Sequence, residues 1–150
     1  SHARSVWLYR HASVSDRSMT SSIISTARRK PLEIDGIVME ILSRCSQPIG
    51  AYEIARQARE KLHRLNPTQV YRCLDRLLET KKVERIVSIN AYILASGHDR
   101  IHLLCKVCGE VISVDEQTPK ETLKSIADSK MFQANTTHIE ISGQCRSCLP

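Results

Sequence analysis

Four of the six cysteines in this 150-residue chain form two Cys-x-x-Cys knuckles, Cys105 with Cys108 and Cys145 with Cys148. Each knuckle puts two sulfurs on one tight turn. Two such turns brought together offer four thiolates in a tetrahedron, the ligand set of a structural zinc ion. The competing reading is a pair of disulfides, which belongs to an oxidising compartment. The N-terminal stretch has neither the apolar core nor the small-residue cleavage site of a secretory signal, and no apolar run reaches membrane-spanning length. The expectation is therefore a cytoplasmic protein with no membrane partner, whose paired knuckles hold metal. Four sulfur ligands leave no open position for water or substrate, so the site should clamp rather than catalyse. No phosphate loop, HExxH motif or nucleophile in a recognisable setting is present, and neither an enzyme nor a small-molecule substrate is expected.

The second kind of chemistry lies on the stretch that follows Asn66 and Pro67. Those two residues are an N-cap and a first helical position. Val70, Cys73, Leu74, Leu77 and Leu78 then form one apolar stripe, which turns Thr68, Gln69, Arg72, Asp75 and Arg76 outward with Tyr71 on the border. Thr, Gln, Tyr and Arg near a helix N-terminus can reach base edges or phosphates in a major groove, and Arg72 suits a bidentate contact to guanine. Every amphipathic helix has a polar face, so this pattern alone does not decide the matter. Charge adds to it. Of a formal net charge of +6, residues 1–95 carry sixteen Lys/Arg against nine Asp/Glu, while residues 96–150 carry six against seven. A basic front half is the electrostatic footprint of a nucleic-acid module. With one Trp and one Phe in the chain, a stacking platform for single strands is not expected.

The elements that must position these residues follow from periodicity. Residues 1–30 are rich in Ser, Thr and Arg and read as a flexible tail, with Arg28, Arg29 and Lys30 as a phosphate-contacting arm. Ile34, Ile37, Val38, Ile41 and Leu42 mark a first helix that Pro48 stops; Ala51, Ile54, Ala55, Ala58 and Leu62 mark a second. After the third helix the period changes to two. Val83, Arg85, Val87 and Ile89 alternate up to Asn90, and residues 91–95 form a second run, so a β-hairpin is expected. Three helices and a hairpin make a winged helix-turn-helix over residues 31–95. Residues 96–100 read as a hinge. Residues 101–150 read as strand, strand, helix and strand, a small α/β domain whose start and end the zinc would join. The predicted class is α+β.

These residues together resemble the Fur family of metal-sensing transcriptional repressors, most of all its zinc uptake regulator branch, Zur. Pro67-Thr68-Gln69-Val70-Tyr71-Arg72 is similar to the family's recognition helix, and Gly50-Ala51-Tyr52-Glu53-Ile54 to a segment of its second helix. Val83, Arg85-Ile86, Ser88 and Asn90-Ala91-Tyr92 resemble its wing. His102-Leu103-Leu104-Cys105, Cys108-Gly109 and Glu140-Ile141-Ser142-Gly143 resemble its dimerisation domain. The likeness covers residues 32–150. It implies a homodimer on a palindromic double-stranded DNA operator, contacts from Thr68, Gln69, Tyr71, Arg72, Arg76, Lys30 and Tyr52, and zinc at Cys105, Cys108, Cys145 and Cys148. It also implies a second, regulatory metal at the hinge, and there the chain departs from the pattern. Glu84 stands where the family offers a His and Ala95 near its usual Cys, while His98 keeps the His before the first knuckle. The ligands expected by analogy are Glu84, His98 and His102, with a fourth from Asp99, Glu110 or His138. The alternative is a metal-independent winged-helix adaptor that keeps only the structural zinc.

Overall fold

The computed structural model describes residues 31–150; the tail expected over residues 1–30, Lys30 included, lies outside them. Helix α1 (Pro31–Ser43) begins at a proline, whose fixed φ suits the first helical turn. It buries Ile34, Val38, Ile41 and Leu42, spaced to fall on one face. Strand β1 (Ile49–Gly50) leads directly into helix α2 (Ala51–Lys61). Helix α2 buries Ala51, Ile54, Ala55 and Ala58, mostly small side chains that let its axis approach α1 and α3. Helix α3 (Pro67–Glu79) buries Val70, Cys73, Leu74 and Leu77 against both. Its start is closed by a reciprocal pair of hydrogen bonds. Thr68 N–H donates to Asn66 Oδ1 over 3.0 Å, and Asn66 N–H donates to Gln69 Oε1 over 3.0 Å. Two of the helix's orphan donors are satisfied in this way.

Strands β2 (Val83–Ile86) and β3 (Ala91–Leu94) form the expected hairpin, with β1 on the free side of β3. The strand pattern continues to Ile89 in the sequence, but β2 stops at Ile86 and residues Val87–Ile89 turn as a single 3-10 turn. The reason is a long-range acceptor. The N–H groups of Val87 and Ser88 donate to the two carboxylate oxygens of Glu140, at 2.6 and 3.0 Å, instead of to a strand ladder. Asn90 closes the turn at φ 49, a left-handed conformation that Asn tolerates better than most residues.

The second sheet holds β4 (Ile101–Cys105) between antiparallel β5 (Val111–Val114) and parallel β6 (Ile139–Gly143). A parallel neighbour needs a long crossover. Here β5 and helix α4 (Thr118–Ser129) supply it. The consequence is that β4 and β6 end side by side, Cys105 opposite Gly143, with Lys106 N–H donating to Gly143 O over 2.8 Å.

The wing and this sheet share a small apolar core of Ile86, Leu104 and Val111, with Ile93 packed against it. Around that core the Gln47 amide acts as a short piece of strand. Val111 N–H donates to Gln47 Oε1 at 2.8 Å, and Gln47 Nε2 donates back to Val111 O at 3.3 Å.

The cap on α3 gives a direct stability test. Asn66→Ala should cost about 1 kcal/mol, read by denaturant unfolding of the zinc-loaded protein; an unchanged midpoint would show that the cap does not hold this helix in place.

Candidate metal centre and nucleic-acid interface

Both knuckles emerge at the same end of the β4–β6 pair. Cys105 is the last residue of β4, and Cys108 follows on a turn closed by Gly109 N–H to Cys105 O at 3.0 Å. Gly109 has φ +78, a conformation that favours glycine, so the chain can turn back into β5 at once. Cys145 lies just past β6 and precedes a single turn over Arg146–Cys148, with Cys148 N–H donating to Cys145 O at 2.9 Å. The four sulfurs lie within 4.8 Å of one another. Cys108 and Cys145 Sγ are 3.7 Å apart, whereas a disulfide would need about 2 Å. All six cysteines are free thiols. A tetrahedron with Zn–S bonds of about 2.3 Å has edges of about 3.8 Å, so this group of sulfurs fits zinc.

The electrostatics of the group also call for a cation. Backbone amides of Cys108, Cys145 and Val107 pull the Cys105 thiol down to about 6. Cys145 N–H reaches Cys105 Sγ at 3.3 Å. Cys148, sharing protons with Cys145 and Cys108, is pushed up to about 12. Four like charges in so small a space cannot ionise together unless a cation neutralises them. The other two cysteines have different surroundings. Burial, helped by Asp35, keeps the Cys73 thiol far above its ordinary value, and Cys73 is a small core residue. Cys45 donates to Ile41 O over 3.3 Å.

The hinge is arranged differently from the expectation. Glu84 and His102 do meet, with Nε2 3.2 Å from Oε2. Among the described residues, however, no third donor from His98 or Glu110 lies within 4.8 Å of both; the four cysteines form the one such cluster. His98 and Glu110 are exposed. The remaining valences of Glu84 and His102 are taken by protein. Arg100 Nε lies 3.3 and 3.2 Å from the two oxygens of Glu84, and its terminal nitrogen donates to Leu94 O over 2.6 Å. Ser113 Oγ is 2.9 Å from His102 Nδ1. Burial works against the Glu84 charge, yet the His102 hydrogen bond and the Arg100 guanidinium outweigh it and hold the carboxyl below its ordinary value. A metal at this position would have to displace Arg100.

On α3 the exposed face is Thr68, Tyr71, Arg72 and Asp75. Gln69 is half-buried and gives its carbonyl oxygen to the cap. Arg76 turns back to α1, where it pairs with Asp35. Tyr52, at the start of α2, is 79% exposed. The contact expected from Lys30 lies outside the described residues. Sequence patterns did not single out Arg100, Ser113, Gln47 or Glu140's bonds to the wing tip. A buried charge opposite a strand carboxylate carries no local signature.

A family model, the ferric uptake regulator family, matches residues 35–142. The zinc uptake regulation protein of Escherichia coli (strain K12) is 28% identical over 117 residues, covering 75% of this chain and 68% of that protein. A solved zinc uptake regulator complexed with zinc and DNA superposes with a TM-score of 0.71 at 28% identity, over 77% of this chain and 80% of that one. The holo form of XcZur gives 0.69 at 26% identity, over 77% and 83%.

Removing one sulfur tests the metal centre. Structural zinc is worth on the order of 10 kcal/mol in small modules, as much as a typical domain's whole stability. Cys105→Ser should lose the bound zinc, measured by elemental analysis, and unfold the sheet of β4, β5 and β6. A zinc-free variant with that sheet intact by amide exchange would count against the clamp.

Proposed function

This chain belongs to the ferric uptake regulator family, and on that premise we propose that it is a zinc-responsive, DNA-binding transcriptional repressor, active as a homodimer on palindromic operators. The observation that carries the reading is the joining of two parts in one chain. A capped helix with an exposed polar face is held on a wing, and the wing is packed onto a sheet that ends in four thiolates. The likeness to a zinc uptake regulator solved with zinc and DNA runs across both parts. No helix among the described residues is long and apolar enough to cross a membrane. A regulator of genes works in the cytoplasm, and the site geometry gives no support to enzymatic turnover.

Thr68, Gln69, Tyr71 and Arg72 read the major groove, and Tyr52 and Lys30 contact the backbone. Arg76 supports the helix from behind through Asp35. The dimer follows from what a single chain leaves uncovered. Helix α4 buries none of its own residues, and Leu123 and Ile126 on it are exposed, as are Ile112 and Ile141 on the second sheet. Exposed apolar side chains gathered on one unit mark an interaction surface. A two-fold dimer then presents two α3 helices to inverted half-sites about one helical turn, or a multiple, apart.

Two measurements check this. Arg72→Ala should cost about 1–3 kcal/mol of binding and relax preference at one base position, read by selection from random duplexes. Unchanged preference would mean that α3 does not read sequence. Leu123→Asp with Ile126→Asp should give monomers in sedimentation and abolish retardation of the selected duplex, which the parent should retard only with zinc present. Equal retardation with and without zinc would favour the constitutive adaptor.

A further inference from the structure

The hinge between the wing and the second sheet is closed by a protein cation. Glu84 lies on β2 and His102 on β4, so their contact ties the two sheets together. Arg100 precedes β4, sits over the same carboxylate, and also grips Leu94 O at the end of β3. Side-chain exposure is 16% for Arg100, 17% for Glu84 and 7% for His102, so this is a partly desolvated network rather than a surface pair. Each metal-ligating side-chain atom of Glu84 and His102 already has a protein partner. Both Glu84 oxygens face Arg100, one His102 nitrogen faces Glu84, and the other faces Ser113.

An arginine is always charged and presents a rigid fork of N–H donors. It therefore delivers at this position what a divalent ion would deliver: positive charge between a carboxylate and a carbonyl from two elements. A second, independent tie runs alongside it. Glu140 of β6 accepts the wing-tip amides of Val87 and Ser88. There, too, burial opposes the carboxylate charge, and bonds from Ser88 and Val87 outweigh it.

From this geometry we infer that Arg100 replaces a regulatory metal at the hinge, so that zinc acts on this protein through the four-thiolate centre alone. The inference rests on the zinc-responsive DNA-binding reading and says where that response resides. Once the second sheet is formed, Arg100, Glu84 and His102 set the wing on it without a second metal. Zinc decides whether β4 and β6 are clamped, and hence whether the sheet that carries the wing and the dimer surface exists.

The experiment uses the full-length dimer and a duplex selected by the parent protein from a random pool. Zinc per subunit is measured after equilibration in buffered zinc, for the parent and for Glu84→Gln, His102→Gln, Arg100→Ala and Arg100→Lys. The expected result is one zinc per subunit in all five. Arg100→Ala should stay dimeric but bind the duplex about tenfold more weakly, a size typical of coupling between sites. Added zinc should not restore it. Its Val87 and Ser88 amides should exchange faster than the parent's. Arg100→Lys, which keeps the charge but loses the fork, should fall between. A second zinc in the parent that Glu84→Gln or His102→Gln removes would overturn the inference, as would parent-like binding by Arg100→Ala. Failure of the parent to select any duplex would instead overturn the DNA-binding reading beneath it.

Discussion

Parallel pairing of β4 with β6 is the constraint on which the rest depends. It brings Cys105 level with Gly143, and so places two knuckles from opposite ends of a subdomain within reach of one ion. Strand pairing alone cannot complete the site. Four sulfurs within 4.8 Å of one another cannot all ionise without a cation, and the amide donors around Cys105 favour its thiolate form. Metal binding and formation of the sheet should thus be one event, as in other small modules where the ligand set exists only in the folded chain. The sheet has few alternatives to this support. Its buried apolar residues are Ile101, Leu104, Cys105 and Val111, of which Leu104 and Val111 are shared with the wing.

The wing depends on the same sheet. Its hairpin has one face on the helical core through Val83 and Tyr92, and the other on Leu104 and Val111 through Ile86 and Ile93. Polar contacts ring that second interface: Gln47 with Val111, Glu140 with the turn after β2, and Arg100 with Glu84. Helix α3 packs on the helical core and leads straight into β2. Packed side chains thus connect the second sheet, through the wing, to the helix that would meet DNA. On the proposed reading, control would run from thiolates to sheet, from sheet to wing, and from wing to α3.

Much of this was legible in the sequence, for a physical reason. Metal ligation writes itself into residue type and spacing, so the two knuckles could be read directly. Helix α3 announced itself by Asn66 and Pro67, which act locally. The order strand, strand, helix and strand was read along residues 101–150 and is the order found. What could not be read were contacts between residues far apart in the chain. Val87 and Ser88 continue a strand pattern but turn away because Glu140, more than fifty residues later, accepts their amides. Strand β1 is two residues long and has no periodicity to detect. The hinge shows the limit most clearly. His98 and Glu110 were reasonable ligands by analogy, yet both are exposed, and Arg100, which no sequence pattern singles out, holds the carboxylate.

The central claim is that zinc on this protein is bound by sulfur alone. The most direct test is zinc X-ray absorption on the full-length dimer, at the zinc concentration that saturates duplex binding. The account predicts a single shell of four sulfurs at about 2.3 Å, with no nitrogen or oxygen neighbours. A mixed shell, with sulfur diluted by nitrogen or oxygen ligands near 2.0–2.1 Å, would contradict it and place a second zinc outside the four cysteines.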